Sequence, residues 1–137
     1  MKILISSLLL ASSVIHASCG DLDIKVINNS THNCTFKNKV TYYGTLYSDR
    51  IPAEIFAGQS SPVFTATQDN VGVGVYLTYM CDNETVKFYS WQEYCGFLTS
   101  GNIGGQPSDS TTLSLDYSTE SGSYIFDRSG KITWYIS

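Results

Sequence analysis

The chain is poor in the residues that most protein chemistry requires. It has two histidines in 137 residues. His16 lies in the apolar N-terminal stretch, so His32 stands alone in the remainder, inside the polar run Asn28-Asn29-Ser30-Thr31-His32-Asn33. One histidine excludes multi-histidine metal sites, and a Ser-His-Asp or Cys-His arrangement would have to be built on that single turn residue. A turn histidine is ordinarily just solvated. Lys and Arg number eight and nowhere cluster. A nucleic-acid partner, which demands a basic footprint, is therefore not expected, and charge alone gives no attraction to anionic lipid. No C-x-x-C pair occurs, so no zinc site is expected. Gly72 and Gly74 form a G-x-G, but inside a strand pattern with no helix behind it. That excludes a phosphate-cradling loop and points to a bulge or a close backbone approach. Carboxylate pairs are few: Asp82 with Glu84, at a hairpin tip where a soluble turn is the ordinary reading, or Glu54 with Glu93, and a glycosidase needs two such groups about 5 to 10 Å apart across a cleft. The expectation is a non-enzyme without cofactor or metal.

Long hydrophobic runs are also missing. Met1-Lys2, the apolar Ile3 to Leu10 and the small, mixed Ala11 to Ala17 read as a secretory signal peptide cleaved after Ala17. The run is too short to span a bilayer. A lipoprotein signal acylated at Cys19 is opposed by His16, which stands where such a signal wants leucine. Residues 18–137 are then expected to form one secreted domain. Without Lys2 it holds seven basic and twelve acidic residues, a net charge of −5.

All four cysteines, Cys19, Cys34, Cys81 and Cys95, fall in that domain, which in a secreted chain reads as two disulfides. Cys81 closes the first strand of a hairpin and Cys95 lies beyond its open end, roughly ten strand residues at about 3.3 Å each away. That distance is beyond a disulfide's reach and rejects sequential pairing. Cys34–Cys81 with Cys19–Cys95 is preferred, and the crossed pairing stays open.

What the chain has is strand periodicity. Val71, Val73, Val75, Leu77, Tyr79 and Cys81 recur at every second position, the period of a half-buried strand. Asp82-Asn83 supplies a two-residue turn, and Glu84 to Trp91 returns with β-branched and aromatic residues. That turn would set Cys81 against Glu84, Tyr79 against Val86, Leu77 against Phe88 and Val75 against Ser90. One face, Val73, Val75, Leu77, Tyr79, Val86 and Phe88, is then core. The other carries Tyr76, Thr78, Met80, Thr85, Lys87, Tyr89 and Trp91. A slip of one residue would exchange the faces wholesale. Further strands are read at Leu22 to Asn28, Cys34 to Tyr43, Ala53 to Phe56, Ser61 to Thr67, Thr111 to Tyr117 and Lys131 to Ser137. Thr99 to Ser110, rich in Gly and Ser, reads as a loop and Ser118 to Ser123 as a turn. No stretch keeps a helical period with start and stop signals. The fold class is all-β, a single, mostly antiparallel β-sandwich with two disulfides.

Aromatics are in excess: ten Tyr, six Phe and two Trp, all after residue 17. Most suit a core or cross-strand pairs. The remainder would give a Tyr/Trp surface able to enter a lipid headgroup layer, stack on sugar rings or cage a quaternary ammonium. Asn28, Asn29, Asn33 and Asn83 each begin an N-x-Ser/Thr sequon, a glycosylation candidate where the secretory pathway allows it.

The segments NNSTHNCTFKNKVTYYGTLYSDRIPAEIFAGQ and GVGVYLTYMCDNETVKFYSWQEY, with the terminal SGKITWYIS, resemble the actinoporin family and its β-sandwich relatives, the fungal fruit-body lectins and the aegerolysins. The resemblance implies a secreted protein that binds phosphocholine-type headgroups of membrane lipids, with glycan binding or a non-catalytic interaction or inhibitor module as the alternatives. It implies that Ser90 and Val75 belong to a headgroup pocket. Gln92 replaces the family's Pro, GFLTSGNIGGQPS replaces its Tyr/Trp-rich loop, and a pore-forming N-terminal amphipathic helix is missing. The expected ligand-binding residues are Val75, Tyr76, Tyr89, Ser90, Trp91 and Tyr94.

Overall fold

The alternating apolar pattern becomes a two-sheet sandwich in the computed structural model, which describes residues 18–108 and 112–137. The expected signal peptide, residues 1–17, lies outside the described residues. The strands are β1 (Asp21–Asn28), β2 (Cys34–Tyr43), β3 (Glu54–Ile55), β4 (Phe64–Thr67), β5 (Gly72–Cys81), β6 (Glu84–Glu93), β7 (Cys95–Gly96), β8 (Thr99–Ser100), β9 (Ile103–Pro107), β10 (Leu115–Glu120) and β11 (Gly130–Ile136). One sheet has the order β10-β11-β1-β4 and the other β3-β2-β5-β6-β9, while β7 and β8 form a small ribbon of their own. Among the described residues the only helical element is a 3-10 turn at Ser48–Arg50. All pairings are antiparallel except β1 with β11.

The β5–β6 hairpin has the register its turn demands, with Cys81 opposite Glu84, Leu77 opposite Phe88 and Val75 opposite Ser90. Asp82 takes a positive φ of 54° at the turn, a conformation that short polar side chains tolerate. Val73, Val75, Leu77, Tyr79, Val86 and Phe88 point inward and meet Leu22, Ile24 and Val26 of β1 and Ile132, Trp134 and Ile136 of β11 in one core cluster. Each such fully buried side chain contributes about 1.5–3 kcal/mol in transfer terms. Two polar side-chain groups in this core are paired. The Tyr79 hydroxyl donates to the Pro52 carbonyl at 2.8 Å, and the Trp134 Nε1–H donates to Ser90 Oγ at 2.8 Å. Both disulfides of the preferred pairing are present, Cys19–Cys95 and Cys34–Cys81.

Three expected boundaries change. The Gly-rich stretch Thr99 to Ser110 is not a plain loop: it supplies β8 and the edge strand β9, which pairs with β6. Gly101 turns the chain with φ 59°, but its other two glycines serve ring packing. A Cβ on Gly104 would lie 2.2 Å from Trp91 Cζ2, and one on Gly105 would lie 2.6 Å from Trp134 Cζ2. Successive residues of one strand thus accept the two indoles on opposite faces, and Pro107 sits on this edge strand, where a missing donor is tolerated. The strand expected over Thr111 to Tyr117 instead spans Leu115–Glu120, because Ser118 and Thr119 pair with Thr133 and Ile132 of β11. The strand expected from Ser61 begins only at Phe64.

Strand direction gives the sandwich two ends of different character. The β1–β2 and β5–β6 turns meet at one end, where Cys34 faces Cys81 in the sheet register. The start of β1 (disulfide-linked to Cys95), the turn before β5, the segment after β6 and the β10–β11 connection meet at the other.

Gly105→Val should lower stability by about 1–3 kcal/mol, the usual cost of overpacking a filled core. Thermal denaturation measures it, and an unchanged midpoint would mean that β9 does not lie against Trp134.

Candidate functional site

The outer face of the five-stranded sheet has no second layer over it among the described residues. Its centre is a group of tyrosines whose placement follows from strand parity. Tyr76 of β5 and Tyr89 of β6 are directly paired and stack with ring centroids 4.9 Å apart. A register shift between Thr41 and Tyr43 inserts an extra residue into β2, as a β-bulge does. It turns both Tyr42 and Tyr43 outward, exposed by 59% and 44%. Tyr42 packs edge-on against Tyr76 and Tyr89 at 6.2 and 5.9 Å. Gly74 leaves room for the group, since a Cβ there would lie 2.4 Å from the Tyr89 hydroxyl and 3.0 Å from Tyr43 Cδ2.

Beside this group lies an open concavity of about 310 Å³ lined by Tyr43, Val71, Val73, Tyr89, Trp91, Gln92 and Glu93. Aromatic faces and one carboxylate bound it, and no basic side chain does. Desolvation raises the Tyr89 phenol above the usual tyrosine range, and the neighbouring Tyr43, Tyr42 and Tyr76 phenols raise it further. Burial alone pushes Tyr79, in the core, well above that range. At the rim, Asp69 accepts the backbone N–H groups of Val71 and Gly72 at 2.8 and 3.1 Å. Hydrogen bonding to the Gly44 backbone, then to those two, holds its carboxyl below the ordinary aspartate value.

The six expected ligand-binding residues are divided among three places. Tyr76, Tyr89 and Trp91 share the outer face, all half-buried. Tyr94 is exposed at the end of the sandwich, with its ring over Gly96. Val75 and Ser90 require correction: both are fully buried on the inner face, where the hairpin register places them, and Ser90 Oγ is the acceptor of the Trp134 indole N–H. They cannot touch a headgroup without opening the sandwich. Tyr42 and Tyr43 join this face through the bulge, whose signal in the sequence is the Tyr doublet before Gly44.

Elsewhere the polar groups pair locally. His32 Nδ1 pairs with Asp82 Oδ2 across the two turns of the polar end, and every cysteine is in a disulfide. Among the described residues no group of three or more His, Cys, Asp or Glu side chains could hold a metal ion. Of the sequon asparagines, Asn28 is interior, donating to the His32 and Ile55 carbonyls at 2.7 and 3.0 Å, which closes it to modification. Asn29, Asn33 and Asn83 are exposed.

No protein-family model and no curated protein matches the sequence. Solved structures do match the fold. The crystal structure of the lipid binding protein Nakanori aligns with a TM-score of 0.62 at 12% identity, over 85% of this chain and 70% of that one. IP-1A from Alcaligenes faecalis aligns with a TM-score of 0.60 at 12% identity, over 89% of this chain and 93% of that one. At this identity the likeness defines the fold class, a β-sandwich shared with these two proteins.

Ser90→Ala should cost about 1–3 kcal/mol, because it strands a buried indole N–H. It should leave the outer tyrosine face unchanged, which any binding at that face would report. A variant of normal stability with lost ligand binding would return Ser90 to the site. In an alkaline absorbance titration, Tyr89→Phe and Tyr79→Phe should each remove a late-ionising phenolate. Loss of an early one would contradict the packing around that ring. The folded state holds both protons more tightly than the unfolded chain does. Their contribution to stability is therefore fully present below about pH 10 and is lost as pH rises through the folded values.

Proposed function

We propose that this protein is a secreted, non-catalytic binder of membrane lipid headgroups of the phosphocholine type, acting through the outer aromatic face of its five-stranded sheet. The observation that carries the reading is the concavity of about 310 Å³ between Tyr43, Tyr89, Trp91 and Glu93. Its walls offer aromatic ring faces and a single carboxylate with no competing cation. Such walls suit a quaternary ammonium, attracted by the ring quadrupoles and by the negative charge of Glu93. The size is at the lower end of small-ligand sites and fits a headgroup rather than a whole lipid.

Three further features support the reading. A protein that shares the fold, Nakanori, is a lipid binding protein. The two disulfides suit an oxidising, extracellular compartment. The net negative charge favours zwitterionic over anionic lipid.

Phosphatidylcholine or sphingomyelin vesicles should sediment the protein, and Trp91→Ala should weaken that binding about tenfold, the share of one desolvated cation–π contact. Failure to bind any lipid ends this reading. Competition by free sugars, with no effect of choline, would move the site to glycans.

A further inference from the structure

The most exposed apolar side chains lie at one end of the sandwich. Two loops carry them. One is the turn between β7 and β8, which carries Phe97 and Leu98. The other is the turn closed by the Ser123–Arg128 bridge, which carries Tyr124, Ile125 and Phe126. The loops touch through the Phe97 and Tyr124 rings, 6.0 Å apart. We propose that these two loops form a membrane-insertion tip, which enters the acyl boundary of a zwitterionic bilayer and stands the sandwich upright on the membrane. This rests on the headgroup reading above, because it supplies the orientation in which the neighbouring concavity meets headgroups.

Four observations select lipid as the occupant. The first is layering. Exposure rises from Tyr94 (45%) and Tyr124 (51%) through Phe97 (73%), Phe126 (76%) and Ile125 (83%) to Leu98 (90%). The tyrosines are therefore the least exposed of the group and the aliphatic side chains the most, which matches the preference of tyrosine for the headgroup layer and of aliphatic groups for the acyl layer. The second is charge. Residues 94–102 contain no charged side chain, and residues 121–128 contain only Asp127 and Arg128, which cancel. A neutral tip is costly to expose to water and matches zwitterionic lipid.

The third is the backbone. A segment entering lipid must satisfy its own polar groups. Ser123 and Arg128 exchange both backbone bonds at 2.8 and 2.9 Å, and Gly96 N donates to Thr99 Oγ1 at 2.7 Å. The base of the first loop is held by the Cys19–Cys95 disulfide and by the Gln68 amide, which bonds the Cys95 carbonyl and N–H, both at 2.8 Å. The base of each loop is thus closed by its own bonds, with the apolar side chains carried on the turn beyond it. The fourth is turn chemistry. Leu98 has φ 68°, where glycine or asparagine is the ordinary choice. Leucine there adds nothing to the turn and adds the outermost apolar group. The concavity that includes Val71, Trp91 and Glu93 lies at this same end, since β6 runs from Glu93 through Tyr94 directly into β7. An inserted tip would therefore bring it to headgroup level.

The test compares wild type, the double variant Leu98→Asp/Ile125→Asp, and Trp91→Ala. The readouts are sedimentation with phosphatidylcholine vesicles and soluble phosphocholine binding followed by tryptophan fluorescence. Both tip residues are exposed, so the double variant should keep its thermal midpoint. It should bind soluble phosphocholine like wild type yet lose vesicle affinity by at least about a hundredfold, the loss expected for two unburied aliphatic side chains. Vesicle binding unchanged in the double variant overturns the tip and leaves the headgroup reading standing. Vesicle binding by wild type that the double variant abolishes, with no soluble phosphocholine binding in either, sinks the headgroup reading and keeps the tip. A wild-type protein that ignores vesicles overturns both. A wild-type dimer in light scattering that the double variant converts to monomer would assign the tip to a second copy of the chain and overturn the membrane assignment.

Discussion

The sandwich is organised around the contact between Phe88 and Trp134, whose ring centroids are 4.9 Å apart. The contact joins the two sheets at their centre, and aromatic packing continues from it on both sides. Tyr79 stacks on Phe88 at 6.0 Å, Phe36 meets Tyr79 edge-on at 5.6 Å, and Tyr117 covers Trp134 at 5.1 Å. This column crosses from β2 to β10. Its buried indole N–H and Tyr79 hydroxyl are met inside the core by Ser90 and by the Pro52 carbonyl. An unpaired N–H at that depth would carry its full desolvation cost, so Ser90 is held by the core rather than by any ligand.

From that contact the outer surface follows. With Tyr79, Phe88 and Trp134 committed inward, strand parity sends Tyr76, Tyr89 and Trp91 outward, and the bulge in β2 adds Tyr42 and Tyr43. The outer rings are not left loose: they stack on one another and lie over Gly74 and Gly104. The result is a firm, half-buried aromatic surface, which limits the conformational entropy lost when something binds to it.

The two ends carry different work. At the polar end, Asn28 ties the β1–β2 turn together through its own hydrogen bonds, and the Cys34–Cys81 disulfide joins that turn to the central hairpin. At the other end the Cys19–Cys95 disulfide and Gln68 anchor loops whose side chains are apolar and exposed. Disulfides stabilise a small domain mainly by restricting its unfolded chain. Here each also holds a set of turns in place at its own end.

The sequence by itself determined what depends on local period and turn chemistry. The hairpin register, its buried face, the all-β class and the rejection of sequential disulfide pairing were legible because a period-two pattern next to Asp82-Asn83 admits one register, and because strand length forbids bridging its two ends; the choice between the two remaining pairings came from the sheet, where Cys34 faces Cys81. The outward aromatic face was legible for the same reason. Tertiary structure decided the rest. The run containing Gly104 and Gly105 looks like a loop until two indoles must be accommodated against it. Ser90 looks like a site residue until a distant tryptophan claims its oxygen. Phe97, Leu98, Ile125 and Phe126, apolar by composition and so assigned to no surface, are exposed because their turns project beyond the ends of both sheets. In each case the deciding partner lies far away in sequence, and side-chain accessibility is a property of the assembled sheets rather than of the residues alone.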